Sequence, residues 1–561
     1  MSDFYQSGPR LENQYQNDLL LRSYLKRSLP PDILSRIKPG LVSLGERVRT
    51  DIFALGEQAE REVPEHVPYD AWGRRVDEIR VSQAWSELDR ISAVEGIVAI
   101  AYERKEKEFS RIHQMAKVYL FGPSSAIYTC PLAMSDGAAR AIELYGSPDL
   151  KSRAFARLTT RDPAKFWTSG QWMTERAGGS DVSGTETVAK KDGDSYRLTG
   201  TKWFTSATTS QMAMTLARIE GAPEGSKGLS LFYLELRNEQ QELNQIFVHR
   251  LKDKLGTRSL PTAELSLQGT KAVLVGGPGD GVKKISSLFN ITRVWNSCSA
   301  LAYMRRGIVL ATDYATRRKA FGKLLSDHPL HVETLAALET ERHAAFHLVF
   351  RIAELLGREE TGKASSDEAA VLRLLTPIAK LFTAKQSVAC ASEVVESFGG
   401  AGYVEDTGIP ALLRNSQVLS IWEGTTNVLS LDMLRAIEKE NAFGPFAQDV
   451  RTMLGKVSSP KLKTEVDKVR LALESSEKHI NGMKNQDVDT VTAGARDFAF
   501  GLARVYSAAL LLSHADWVLA QGESGACVTA AERWCAGLKD IYLDYGESRR
   551  KGSRELLGWH D

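Results

Sequence analysis

Ile421-Trp-Glu-Gly-Thr-Thr-Asn427 sets one carboxylate between an indole and a tight Gly-Thr turn. An anionic glutamate beside an indole is poorly solvated, which moves its proton equilibrium toward a useful base range. That suits removal of a weakly acidic C–H proton. Glu423 is therefore the candidate base, with Trp422 and Gly424 as its immediate walls.

Four other stretches carry ligand-binding chemistry. Gln171-Trp-Met-Thr-Glu-Arg-Ala-Gly-Gly-Ser-Asp181 offers a Thr hydroxyl and a Gly-Gly-Ser turn rich in backbone N–H groups. These can bond a flavin ring edge and a pyrophosphate. In Lys202-Trp-Phe-Thr-Ser206, Trp203 could lie beside a cofactor ring, with the Thr205 hydroxyl expected on the same strand face. In Tyr314-Ala-Thr-Arg-Arg-Lys-Ala-Phe-Gly322, Arg318 and Phe321 are expected to share a helix face. A guanidinium there suits phosphate and an aromatic ring suits a nucleobase. In Glu396-Ser-Phe-Gly-Gly-Ala-Gly-Tyr403, Gly399 and Gly400 would let backbone approach a ligand closely. Taken singly, these stretches read at least as well as a polar loop, a core Trp, a basic helix end and a helix cap. Gly276-Gly-Pro-Gly-Asp-Gly281 reads as a turn, since it lacks the Lys-Ser/Thr of a phosphate loop.

The chain around these motifs has 561 residues, 43% hydrophobic and 25% charged, with a net charge of +2. That is a globular composition without the basic excess of a nucleic-acid binder. Five scattered cysteines give neither a disulfide framework nor a zinc site. No apolar run in the sequence approaches the ~20 residues of a membrane helix. The polar N-terminus and the Gly-Trp-His-Asp ending carry no secretory or peroxisomal address. A cytoplasmic location is expected, with mitochondrion and peroxisome left open.

The elements that must position the motifs read as four units. Residues 1–165 are helical, apart from His66–Arg80, which reads as an ordered loop of turn formers. Residues 166–278 hold short β runs at 195–199, 202–206, 212–216, 229–234 and 263–267, expected to make a small barrel. Residues 279–440 return to long amphipathic helices at 301–316, 332–356 and 370–398, and 441–561 form a further helical unit. The fold class is mostly α with a middle β-barrel.

In this order and at these separations, the motifs resemble the acyl-CoA dehydrogenase superfamily, over about residues 165 to 440. The stretch Val67–Glu78, the stretch Leu251–Ser259, Trp422 and the extra C-terminal helices resemble its AidB-like branch. The resemblance implies an N-terminal helical domain, a β-barrel and a C-terminal four-helix bundle, assembled as a dimer or tetramer. It implies FAD held by Gln171, Met173, Thr174, Gly179, Ser180, Trp203 and Thr205. Arg318, Phe321, Glu396, Gly399 and Gly400 would serve a neighbouring subunit, with Thr425 and Asn427 at the adenosine end. Ser180, Arg293, Trp422 and Gly424 would meet an acyl-CoA, and no metal is implied. The implied reaction is α,β-dehydrogenation, with Glu423 as base, hydride transfer to flavin N5 and an unidentified electron acceptor.

Departures stand at Trp422, where Tyr is common, at Glu396, where Gln is common, and at Asn290, Leu324 and Pro329. They bear more on the CoA contacts than on FAD. Other functions open at this level are a DNA-associated flavoprotein, an acyl-CoA oxidase or flavin mono-oxygenase, and acyl-CoA sequestration without turnover. Nucleic acid is the less expected partner, because Arg549, Arg550, Lys551 and Arg554 form only a short basic cluster.

Overall fold

The computed structural model describes residues 7–238, 240–523, 525–538, 542–543 and 545–559. Helices run from Leu19–Ser28 to Thr129–Tyr145, interrupted by one antiparallel hairpin, β1 (Glu65–Tyr69) and β2 (Arg75–Arg80). The segment expected as a loop is thus a ribbon turned at Asp70–Gly73. Asp77, fully enclosed, fastens it by accepting from His66 at 2.9 Å, Arg75 at 2.7 Å and the Val248 N–H at 3.1 Å.

Seven strands follow: β3 (Ser169–Trp172), β4 (Val188–Asp192), β5 (Ser195–Ser206), β6 (Met212–Ile219), β7 (Leu229–Glu235), β8 (Ile246–Leu251) and β9 (Thr262–Val275). The pairings β4–β5, β5–β9, β9–β7, β7–β6 and β6–β4 close a five-stranded barrel, with β3 added parallel to β6 and β8 added to β9. Closure removes the open edges that such strands would otherwise expose. Trp172, Leu198, Phe232 and Leu265 fill its interior. The strict alternation of β3 sends Trp172 inward, which leaves Gln171 on the outer face.

The bundle comprises the helices Gly281–Ala315, Pro329–Glu360, Ser366–Ser397 and Thr426–Glu440, with the short helix Ile409–Val418 before the last. Start signals are explicit. Pro329 opens one helix, and Ser365 with Glu368 forms a reciprocal capping box at the next.

The C-terminal helices pack on this bundle through Val488–Ala520. Although the sequence shows no apolar run of membrane length, this helix is long and apolar enough on average to cross one. Of its most apolar window, 78% is buried inside the protein, so its apolar surface is core. Arg27 donates to Ser513 at 2.6 Å, and Ser23 pairs with His514 at 3.1 Å, tying the first helix to this last unit.

Two local expectations fail for physical reasons. The helix carrying Tyr314 stops at Ala315, and Lys319–Ala320 pairs with Lys323–Leu324 as a miniature hairpin. Arg318 and Phe321 therefore share no helix face. Phe321 sits at the hairpin tip with φ 50° and 97% exposure. In β5, Trp203 and Phe204 together face a single residue of β9, because the register shifts between Lys202 and Thr205. The bulge breaks the alternation. Lys202 and Thr205 are both fully buried while Trp203 is half-exposed, so Trp203 and Thr205 lie on different faces.

Candidate active site

Glu423 lies in the turn between the helices Ile409–Val418 and Thr426–Glu440. Its φ is 59°, a left-handed conformation that a non-glycine residue adopts at some cost, and Gly424 follows at 102°. Such strain persists only where surrounding contacts over-determine it. Arg293 Nε donates to the Glu423 carbonyl at 3.3 Å, and Lys380 Nζ donates to the Gly424 carbonyl at 2.6 Å. Trp422 N–H closes on Val418 O at 3.1 Å, and the Trp422 indole donates to Asn296.

The carboxylate faces the first bundle helix and the barrel. Thr292 donates its hydroxyl to Glu423 Oε2 at 2.6 Å. The Gln171 amide stands 3.4 Å from both carboxylate oxygens, at the long limit of a hydrogen bond. Residues 131 and 252 positions before it in the chain thus converge on one acid.

Beside it, a cavity of about 20 Å³ is bounded by Thr129, Cys130, Ala133 and Met134 of one helix, by Trp295, Asn296 and Ser299 of another, and by Trp422. Burial pushes the Cys130 thiol well above its usual range, which leaves it inert as a nucleophile.

Arg293, read from the sequence as lining a CoA channel, pairs with an acid of the last bundle helix. Its Nη1 reaches Asp432 at 2.7 Å, and Arg373 binds the other oxygen of the same acid at 2.7 Å. Burial raises the Asp432 pKa, but the two guanidinium groups outweigh it and hold the carboxyl below its usual range. Arg293 supports the Glu423 turn.

The remaining residues fall into two groups. In the first, Met173 is buried, Thr174 is half-buried, and Gly179 and Ser180 are exposed in the turn after β3. Gly179 is required there, since a Cβ would stand 2.5 Å from Thr174 Oγ1. Trp203 N–H donates to the Thr174 carbonyl at 2.9 Å, which docks the β5 bulge against this turn. Behind both, Lys202 Nζ meets Glu175 at 2.7 Å, fully buried. Thr205 spends its hydroxyl on the Ala263 carbonyl at 2.8 Å.

In the second group, Tyr314, four residues before Arg318, stacks at 4.6 Å on Phe398, the residue before Gly399. Glu396 is exposed on the last helical turn before them. Among the described residues, no hydrogen bond, ion pair or ring contact joins the two groups. Thr425 and Asn427 are exposed at the start of the helix Thr426–Glu440.

Sequence reading missed Thr292 and Lys380. Thr292 is adjacent to Arg293, which had been singled out. Lys380 was visible as a lone cation within the apolar run Thr376–Phe382.

The matches to known families span nearly the whole chain. Residues 8–162 match the adaptive response protein AidB N-terminal domain, and 170–270 match the acyl-CoA dehydrogenase middle domain. Residues 279–438 match the acyl-CoA dehydrogenase C-terminal domain, and 441–551 match the acyl-CoA dehydrogenase 11 C-terminal domain-like family. Acyl-CoA dehydrogenase family member 11 of Caenorhabditis elegans is 46% identical, covering 99% of this chain and 92% of that protein. The chain belongs to the acyl-CoA dehydrogenase family.

The crystal structure of Caenorhabditis elegans ACDH-11 in complex with C11-CoA superposes with a TM-score of 0.96 at 45% identity, covering 99% of this chain and 97% of that one. An acyl-CoA dehydrogenase from Bacillus anthracis, complexed with FAD, shares the fold at a TM-score of 0.73 and 16% identity, covering 98% and 93%.

The residues of this acyl-CoA dehydrogenase also fit a large polar cofactor. Gln171 Oε1 is buried with no donor of its own, and the exposed Gly178, Gly399 and Gly400 have open space where a side chain would project.

Proposed function

We propose that Glu423 is the catalytic base of an FAD-dependent α,β-dehydrogenation of an acyl-CoA thioester. The observation that carries this reading is the convergence of Thr292 and Gln171 on the Glu423 carboxylate, beside a cavity walled by Trp422. The C11-CoA complex of the nematode relative supports an acyl-CoA as the ligand.

The two carboxylate oxygens are not equivalent. Oε2 is fixed by Thr292 at 2.6 Å, a charge-assisted bond. Oε1 has only the long Gln171 contact, so it is the oxygen free to take the α-proton. The Glu423 N–H meets no acceptor among the described residues, and it is suited to donate to a thioester carbonyl as negative charge develops there.

Bound FAD would supply the hydride acceptor for the β-carbon, and the protein supplies orientation and dryness. Gln171, Met173, Thr174, Gly179, Ser180, Trp203 and Thr205 would hold its ring and pyrophosphate. Arg318, Phe321, Glu396, Gly399 and Gly400 would hold the adenosine half of a second subunit, with Thr425 and Asn427. The near-complete exposure of Phe321 supports that division. Ser180, Gly424 and Trp422 would border the thioester, and Trp422 with Asn296 is the wall that must yield to a longer acyl chain.

Anaerobic titration of the yellow holoenzyme with short, medium and long acyl-CoAs tests the reading. Bleaching of the flavin by one of the classes is expected. A protein that takes up no FAD, or one whose flavin no acyl-CoA reduces, would sink it.

A further inference from the structure

Lys380 is fully buried near the middle of the helix Ser366–Ser397, and among the described residues its ammonium has one hydrogen-bond partner, the Gly424 carbonyl at 2.6 Å. A buried lysine without a carboxylate directly on it is expensive to keep. An apolar side chain of similar length would fill the same space. The carbonyl it meets belongs to the residue after Glu423, inside the turn that Glu423 enters with a left-handed φ of 59°.

The charged groups that face it are few. Glu423 attracts it from the turn, Arg293 of the first bundle helix repels it, and so does Lys385 one turn on. Asp432, the nearby acid on the last bundle helix, is already held by Arg293 and Arg373. Glu423 is therefore the acid left to respond to this cation.

We propose that Lys380 is a positioning residue for the catalytic carboxylate: its hydrogen bond to Gly424 locks the Glu423 turn, and its cation lies against the backbone that carries the acid. This deepens the reading of Glu423 as base and rests on it. Burial draws the Lys380 pKa down to about 7, so the charge is present on the acid side of neutrality, where a base first becomes competent.

Lys380→Met keeps the length of the side chain and removes the bond and the charge. Two readouts test it in the FAD-loaded protein. In amide hydrogen exchange without acyl-CoA, the peptide spanning 419–427 exchanges about ten times faster than in wild type. In anaerobic flavin bleaching, the acid limb of the rate profile moves up by roughly half to one pH unit, as expected when a nearby cation is lost. Lys380→Arg, which keeps the cation, returns the limb toward wild type. An unchanged exchange rate, an unmoved limb, or a limb as displaced with Arg as with Met overturns the proposal. If no acyl-CoA bleaches even the wild-type flavin, the functional reading has failed instead, and the exchange experiment alone still decides whether Lys380 holds the turn.

Discussion

Thr292 and Lys380 act on the same acid from opposite sides, one on the carboxylate and one on the backbone behind it. Removing the Thr292 hydroxyl with Thr292→Val deletes a bond to a charged group, a class of interaction that contributes about 1.5–3 kcal/mol. The rate of flavin bleaching should fall roughly 10- to 100-fold, and Thr292→Ser should restore most of it. A Val variant as fast as wild type would show that the bond is idle.

Lys380 also makes a stability prediction. Its folded pKa, about 7, lies below the ordinary lysine value of 10.5. Between these two values the unfolded chain binds a proton that the folded chain does not, so this group makes stability rise with pH across that window. The melting temperature of wild type relative to Lys380→Met should therefore improve from pH 7 to pH 10 and stay level below pH 7. A difference independent of pH would contradict it.

Neither contact was legible in the sequence. The motif announced Glu423, but a threonine or lysine reaching it from another helix leaves no trace in local spacing.

The elements matter most where the barrel meets the bundle. The Glu175–Lys202 pair lies one residue after Thr174 and one before Trp203, so a single buried ion pair fastens both segments assigned to the cofactor. Lys202→Met leaves Glu175 buried with only its Thr187 and Glu186 bonds, at a cost of about 3 kcal/mol or more. Thermal melting and flavin retention should both fall, and a variant that keeps its full flavin and melting point would remove the staple from the account.

The β runs were visible from their turns and β-type residues, and the barrel followed from them. The bulge at Trp203–Phe204 was not, because a one-residue register shift is fixed by pairing with β9 rather than by the strand's own pattern. The Arg318–Phe321 error has a similar source. The helical pattern continues in sequence past Ala315, but Phe321 and Gly322 both take positive φ and fold the chain back.

At the scale of the molecule, the barrel and bundle units bring residues 171, 292, 380 and 423 to one place. The order of motifs along the chain made that architecture legible as a resemblance, and the 46% identical relative extends it through the C-terminal helices. What local sequence could not convey is the exposure of Phe321 at a hairpin tip, which depends on where the preceding helix stops.

If the second group serves a neighbouring subunit, flavin retention depends on assembly. Phe321→Ala should lower flavin content several-fold on dilution without unfolding the chain. Sedimentation with simultaneous flavin absorbance would show it, and flavin retained by monomers of either form would contradict it. Trp422→Ala should open the small cavity and shift the preferred acyl chain toward longer or branched thioesters, read from the same titration series.

The most direct test of the central claim is anaerobic stopped-flow bleaching of Glu423→Gln beside wild type, with the best acyl-CoA found. The account predicts that the variant still binds FAD and the thioester, while flavin reduction slows by at least about a thousandfold, as expected when the base is removed. Reduction at the wild-type rate would contradict it.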